Sequence, residues 1–103
     1  MNANLKEELI KIITEIESFI IDNGGFFGDW YAGITDDVKE RLYGYHNVKE
    51  TCVFVKTPSV GFARIIEKYF IEERKTDGGI GGGNEGSLYV YLYKKQSYTK
   101  ERD

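Results

Sequence analysis

Apolar residues recur every three or four positions over residues 4–22, separated by lysine, glutamate and other polar residues. The apolar set is Leu5, Leu9, Ile12, Ile13, Ile16, Phe19 and Ile20. This spacing places the set on one face of an α-helix, and the Asn23-Gly24-Gly25 sequence after it favours a helix end. We therefore predict that residues 1–25 form an amphipathic helix and a turn, and that the helix covers one face of a sheet.

Three further segments have the alternation and β-rich composition of strands, namely residues 26–34, 51–57 and 88–95. Helices are predicted between them at residues 36–45 and 59–74, and a polar tail that frays is predicted at residues 96–103. This order predicts one α+β domain over residues 1–103, in which a small, mainly antiparallel sheet of three strands packs with about three helices.

Residues 76–87 contain six of the chain's twelve glycines, which excludes a regular element there. Two interpretations of the loop at residues 78–86 are open. In one, it is a flexible connection that returns the last strand to the sheet. In the other, its backbone N–H groups bind an anion.

The net charge of −3 limits the possible partners, because proteins that bind duplex nucleic acid through many phosphates are usually basic. Any contact with nucleic acid should then be weak and confined to a local patch. Cys52 is the one cysteine, which excludes an internal disulfide and cysteine-rich zinc sites. The sequence contains neither an apolar run of the roughly 18–20 residues that span a membrane nor a signal-peptide pattern, so we expect a cytoplasmic protein without a membrane partner.

Two charged residues fall within the apolar stripes of predicted helices. Arg41 lies on the apolar face of the helix at 36–45, and Glu67 on that of the helix at 59–74. A charge taken out of water is costly unless it is paired. One interpretation is a structural salt bridge between the two side chains, or stems that extend to the surface. The other is a polar cleft in which Glu67 holds a divalent cation and Arg41 faces a phosphate.

The segment that contains Arg41 resembles the GIY-YIG endonucleases. In "WYAGITDDVKERL", residues 30–42, Tyr31 and Gly33 match the Tyr-x-Gly that ends a strand in this family, and Arg41 follows the glycine by eight residues. The segment "ARIIEKYFI", residues 63–71, is similar to the family's later helix and places Glu67 at its metal-binding carboxylate. The resemblance covers roughly residues 29–95.

The family also has an earlier strand, with Gly-Ile-Tyr or a form such as Val-Tyr-x-Leu, and nothing before Trp30 fits it. The C-terminal segment "LYVYLYKK", residues 88–95, resembles that strand through Val90-Tyr91-Leu92. The resemblance therefore implies a circular permutation, in which the first motif comes last in the sequence and still pairs beside the second. Tyr91 would then point to the same side of the sheet as Tyr31.

The resemblance implies a metal-dependent endonuclease that hydrolyses phosphodiester bonds of nucleic acid with a single Mg²⁺ or Mn²⁺ ion. The implied roles are metal ligand for Glu67, proton acceptor or water positioner for Tyr31, phosphate contact for Arg41, and orientation of the water or phosphate for Tyr91. Further substrate contacts are implied for Gly33, Tyr45, His46 and Asn84. The family often has histidine four residues after the arginine; that position is Tyr45 here, and His46 is one residue out of register, where we expect a surface loop.

Two other functions are open. The chain could be a non-catalytic module of the same fold that binds a nucleic acid, a nucleotide or a protein partner, as an accessory protein of a phage or mobile element would. The acidic balance and the lack of a separate DNA-binding domain in this sequence favour that alternative. The third function is a structural one, in which the N-terminal helix joins copies of the chain into a homo-oligomer.

Overall fold

The computed structural model describes residues 3–79 and 83–102, so residues 80–82 of the glycine loop lie outside the described part. The elements are α1 (Ala3–Asp22), β1 (Trp30–Thr35), a π-helix (Glu40–Tyr45), β2 (Cys52–Lys56), α2 (Val60–Glu72), β3 (Asp77–Gly78) and β4 (Tyr89–Lys94). A 3₁₀ turn at Phe27–Asp29 precedes β1, so this strand begins later than the predicted residue 26. None of the helices in the two described stretches is long and apolar enough to cross a membrane.

The sheet has four strands in the order β2-β4-β1-β3, so the prediction of three strands is wrong. The additional strand, β3, is two residues long and pairs parallel with β1 through Asp77 opposite Tyr31 and Gly78 opposite Ala32. It lies within residues 76–87, so the expectation that the glycine content excludes a regular element there is wrong for Asp77 and Gly78. Composition alone gives no strand signal at these two residues. The two longer pairings, β1 with β4 and β2 with β4, are antiparallel, so the α+β class and the mainly antiparallel sheet are confirmed.

The two faces of the sheet carry different cores because successive side chains of a strand point to opposite sides. On the helix face, α1 and α2 pack against the sheet. Its buried residues are Ile12, Ile16, Ile20, Trp30, Ala32, Ile34, Phe62, Ala63, Ile66, Phe70, Val90 and Leu92. On the opposite side, which we call the tyrosine face, Leu42 and Val48 pack against Tyr91 and Tyr93, with Tyr31 beside them.

The last strand pairs with the strand that precedes the candidate helix, as the sequence predicts. Gly33 of β1 lies opposite Tyr91 of β4, and Tyr31 lies opposite Tyr93. Tyr31 and Tyr91 therefore share one face of the sheet. Their rings are stacked, with centroids 6.4 Å apart.

The segment predicted as a helix at residues 36–45 forms a π-helix over most of its length, which is a correction to the sequence prediction. Asp37 starts it, since its Oδ1 accepts a hydrogen bond of 3.1 Å from the Glu40 N–H. The His46 N–H then donates to the Arg41 carbonyl at 2.9 Å, one residue further along the chain than an α-helix would pair. The extra residue rotates the following side chains by about 100° relative to an α-helix.

The tail from residue 96 is anchored by hydrogen bonds, so the expectation that it frays is wrong for the described residues 96–102. The Lys100 N–H donates to the His46 carbonyl at 2.8 Å, and the Asn47 side-chain amide donates to the Tyr98 carbonyl at 3.0 Å. Arg102 forms an ion pair with Asp77. The tail therefore lies along the segment that follows the π-helix and reaches the sheet edge at β3.

Gly33 can be tested by substitution because Tyr91 occupies the space that a side chain would need. An added Cβ would overlap the Tyr91 hydroxyl and would lie 2.5 Å from its ring carbon Cζ. We expect Gly33→Ala to lower the free energy of unfolding by about 1–3 kcal/mol, measured by urea denaturation. The matched control is Gly61→Ala in α2, where the nearest atom to an added Cβ is 3.9 Å away and no loss is expected. Equal effects of the two substitutions would contradict the close Gly33–Tyr91 contact.

Candidate active site

His46 lies at the centre of the tyrosine face, which corrects the expectation of a surface loop. Its side chain is 1% exposed. The His46 N–H donates to the Arg41 carbonyl, a π-helical hydrogen bond that joins residues five positions apart. His46 therefore takes the place in the hydrogen-bonding pattern after Arg41 that Tyr45 would take in an α-helix.

Hydrogen bonds fix the orientation and the tautomer of His46. Its Nδ1 lies 2.5 Å from the Lys100 carbonyl oxygen, which can only accept, so Nδ1 carries the proton. Its Nε2 then accepts a hydrogen bond from the Tyr91 hydroxyl at 2.8 Å. Burial lowers the pKa of His46, so the ring is neutral near pH 7. The result is a hydrogen-bonded chain from the Lys100 backbone through the imidazole to the Tyr91 hydroxyl.

The three tyrosines of this face differ in their access to solvent. Tyr91 is 2% exposed and Tyr93 is fully buried, whereas Tyr31 is partly exposed. The Tyr31 ring stacks on Tyr93 with centroids 5.3 Å apart and lies 4.8 Å from the His46 ring. Of these side chains, Tyr31 is therefore the one that an external molecule can reach.

Burial raises the pKa of Tyr31 and of Tyr91, so both hydroxyls are protonated at neutral pH. The charge of Glu67 adds to the rise for both tyrosines, and the charge of Arg41 opposes it for Tyr91. The charges of Glu67 and Arg41 thus both affect the pKa of Tyr91, in opposite directions.

Arg41 lies beside Tyr45, with its guanidinium carbon 5.0 Å from the ring centroid. Both residues are partly exposed. In the described part of the chain Arg41 forms no ion pair with Glu67, so the structural salt bridge considered from the sequence is not formed there. The guanidinium is held by an aromatic ring rather than by a carboxylate, which leaves its charge available to an anion.

Glu67, the one carboxylate of the candidate set, is buried with 2% exposure. It belongs to α2, which packs on the helix face, whereas Arg41 belongs to the π-helix on the tyrosine face. Burial raises its pKa to about 7, and the nearby charge of Arg64 opposes part of this rise. A carboxylate in this environment is stabilised by a proton or by a cation.

A single divalent cation, as the GIY-YIG resemblance implies, would have Glu67 as its protein ligand. One carboxylate is compatible with Mg²⁺, which keeps several of its waters. Within residues 3–79 and 83–102, no three His, Cys, Asp or Glu side chains come together as a metal-binding group. An ion at Glu67 would therefore not be held by a cage of three or more described His, Cys, Asp or Glu ligands, and at 2% exposure the carboxylate would have to become more accessible to take a hydrated ion.

The remaining candidates have different positions. Gly33 lies beneath the Tyr91 ring and contributes space rather than a polar group. Asn84 is exposed; its side-chain oxygen accepts from the Gly86 N–H at 2.8 Å, and its amide donates to Asp36 at 3.3 Å. Asn84 thus stabilises the turn at the end of the glycine loop. The anion-binding interpretation of that loop involves residues 80–82, which lie outside the described part of the chain.

The sequence analysis missed the residues that support this site from the tail. The Tyr93 hydroxyl donates to Glu101 Oε2 at 2.9 Å and lies 3.0 Å from His46 Nδ1. The Lys100 contact with His46 uses a backbone carbonyl, for which the residue type gives no signal. Alternation along the strand already places Tyr93 on the same face as Tyr91, but no sequence pattern indicated a role for it in the site.

Comparison of the chain with protein-family models, with curated proteins and with solved structures gave no match. The candidate site is therefore described by the positions of its side chains alone. Tyr31, Tyr91, His46 and Arg41 lie on or beside the tyrosine face, and the charge of Glu67 acts on both tyrosines.

The raised pKa of Glu67 makes a prediction about stability and pH. The folded protein binds this proton more tightly than the unfolded chain, so Glu67 lowers the free energy of unfolding as pH rises from about 4.5 to about 7. We expect Glu67→Gln to be more stable than the wild type by about 1–3 kcal/mol at pH 8 and nearly equal to it at pH 4. Urea denaturation at the two pH values measures the difference.

The control for this prediction is Glu72→Gln, an exposed position on the same helix, which should leave the pH profile unchanged. The lowered pKa of His46 contributes the opposite slope, but equally in all three proteins. Parallel profiles for wild type and Glu67→Gln would contradict the burial of an ionisable carboxylate.

Proposed function

We propose that this chain is a metal-dependent endonuclease of the GIY-YIG type, with its first-motif strand at the C-terminus as β4. The observation that carries the proposal is that three other candidate residues, His46, Arg41 and Glu67, all interact with Tyr91. Its hydroxyl donates to His46, and the charges of Arg41 and Glu67 both act on it. A tyrosine, a neutral histidine, an arginine without a carboxylate partner among the described residues and a desolvated glutamate together form the residue set for phosphodiester hydrolysis.

The proposed roles follow the exposure of each side chain. Tyr31 is partly exposed and would contact the attacking water, while Arg41 would offset the charge of the scissile phosphate. Tyr91 is buried and donates its hydroxyl proton to His46 in a hydrogen bond, so its proposed role is to hold His46 and the stacked Tyr31 ring in place and not to contact water or substrate itself. A divalent ion, when bound at Glu67, would supply Lewis-acid stabilisation of the phosphate and the leaving oxygen.

A second function is favoured by a different observation. Glu67, His46 and Tyr91 are each no more than 2% exposed, and the net charge is −3. A site so enclosed is also what a non-catalytic module would have if it kept these residues for packing and bound its partner elsewhere. The nuclease proposal differs from this alternative because it requires that substitution of Glu67 or Arg41 lowers the rate of phosphodiester cleavage.

A cleavage assay tests the nuclease proposal. Supercoiled plasmid and labelled oligonucleotides of DNA and RNA are incubated with the protein and Mg²⁺ or Mn²⁺. We expect metal-dependent cleavage that falls at least about 100-fold in Glu67→Gln and in Arg41→Gln. Because Glu67→Gln is expected to be at least as stable as the wild type, a loss of activity in this variant cannot be attributed to unfolding.

The matched controls are Glu72→Gln on α2 and Lys39→Gln just before the π-helix, both exposed and both expected to keep activity. Circular dichroism verifies the fold of each variant. Absence of cleavage by folded wild-type protein on all substrates, or full activity of Glu67→Gln, would reject the nuclease in favour of the binding module.

A further inference from the structure

The tyrosine face has an uncovered end. The chain around the π-helix covers Tyr91 and Tyr93, but Phe54 of β2 remains 47% exposed on the same face, next to Tyr89 of β4. Tyr43 forms the opposite wall and is 50% exposed. These rings and four neighbouring residues enclose a cavity of about 340 Å³, which we call the aromatic groove. Its lining is Asp36, Asp37, Val38, Lys39, Tyr43, Phe54 and Tyr89.

The aromatic groove combines ring faces with carboxylates. Phe54 and Tyr89 meet at 64° with centroids 6.4 Å apart, so their ring planes form a corner instead of a closed stack. The faces of aromatic rings carry negative potential and attract cations. Groups of this kind bind ammonium and guanidinium ions in proteins.

The carboxylates of the groove are available to a cation. Asp36 accepts only a long hydrogen bond of 3.3 Å from the Asn84 amide among its described contacts, and Asp37 accepts one from the Glu40 N–H. Neither belongs to an ion pair within the described stretches of the chain. Among the described residues, the lining contains two acidic residues, Asp36 and Asp37, and one basic residue, Lys39.

We propose that the aromatic groove binds an organic cation, an alkylammonium or guanidinium group on an apolar stem. The rings and Val38 accommodate the stem and the charge, and the two aspartates attract the charge. A phosphate-rich ligand is disfavoured, because Asp36 and Asp37 repel it. The described lining of the groove shares no residue with the candidate active site, although Asp37 lies one helical turn before Arg41, so the proposal does not depend on the proposed nuclease activity.

Titration by NMR tests the proposal with four probes of similar size, which are n-butylammonium, n-butylguanidinium, n-butanol and butyrate. We expect saturable shifts of the ring resonances of Tyr43, Phe54 and Tyr89 with the two cations. Binding of butanol and butyrate should be at least about fivefold weaker. Equal binding of butanol and the cations would reduce the groove to an apolar surface and overturn the proposal, as would identical shifts produced by an oligonucleotide.

Substitutions separate the contributions of charge and of the rings. The double variant Asp36→Asn with Asp37→Asn should bind the cations no better than butanol, and Lys39→Gln should bind them more tightly. Phe54→Ala should lose binding. Ile65→Ala, which removes a 43% exposed side chain on α2, is the control and should bind as the wild type does. Unchanged cation binding in the aspartate double variant would overturn the proposal.

The source of the cation is distinguished by a fifth probe, an extended pentapeptide with a central lysine. Binding at least about tenfold tighter than n-butylammonium would identify a protein partner that adds contacts along β2, which is an edge strand of the sheet. Equal affinity would identify a free small cation. Either result supports a cation site.

Discussion

The close contact between Tyr91 and Gly33 determines how the rest of the tyrosine face is arranged. The two residues are opposite each other in the β1–β4 pair, and the Tyr91 ring lies in the space that a side chain at Gly33 would occupy. This position brings the Tyr91 hydroxyl to His46. A register shift of one residue would turn Tyr91 to the helix face, where the core is aliphatic, so the hydrogen bond and the strand register depend on each other.

Helices α1 and α2 and the three longer strands could be predicted because each has a local signal, whereas the pairing of β4 with β1 was expected only from the family resemblance. The apolar periodicity of α1 and the alternation of β4 are visible in single segments of sequence. β3 has no such signal, because its two residues pair only where Gly78 approaches β1 closely; an added Cβ there would lie 2.6 Å from the Ala32 carbonyl oxygen. The π-helix is also invisible locally, since its extra residue is stabilised by contacts that His46 makes with β4 and with the tail.

The sequence indicated which residue types the candidate site contains, but not which face of the sheet each of them lies on. Arg41 and Glu67 were recognised as charges on apolar stripes, and both act on Tyr91. Their helices lie on opposite faces of the sheet, which no periodicity can reveal because each helix has the same kind of stripe. The distance between them in sequence carries no information about the face that each helix covers. The supporting tail was missed for a related reason, since its contact with His46 is a backbone carbonyl.

Charges of both signs lie close together beside the tyrosine face, although the whole chain is only mildly acidic. Arg41 lies against Tyr45 without a carboxylate partner among the described residues, while Asp37, whose backbone carbonyl accepts a hydrogen bond of 3.0 Å from the Arg41 N–H, borders the aromatic groove together with Asp36. Under the proposed nuclease function, the phosphates of a substrate would be attracted to Arg41 and repelled by the neighbouring aspartates. The substrate would therefore have to reach Arg41 from the side away from these carboxylates, which limits the orientations in which it can bind.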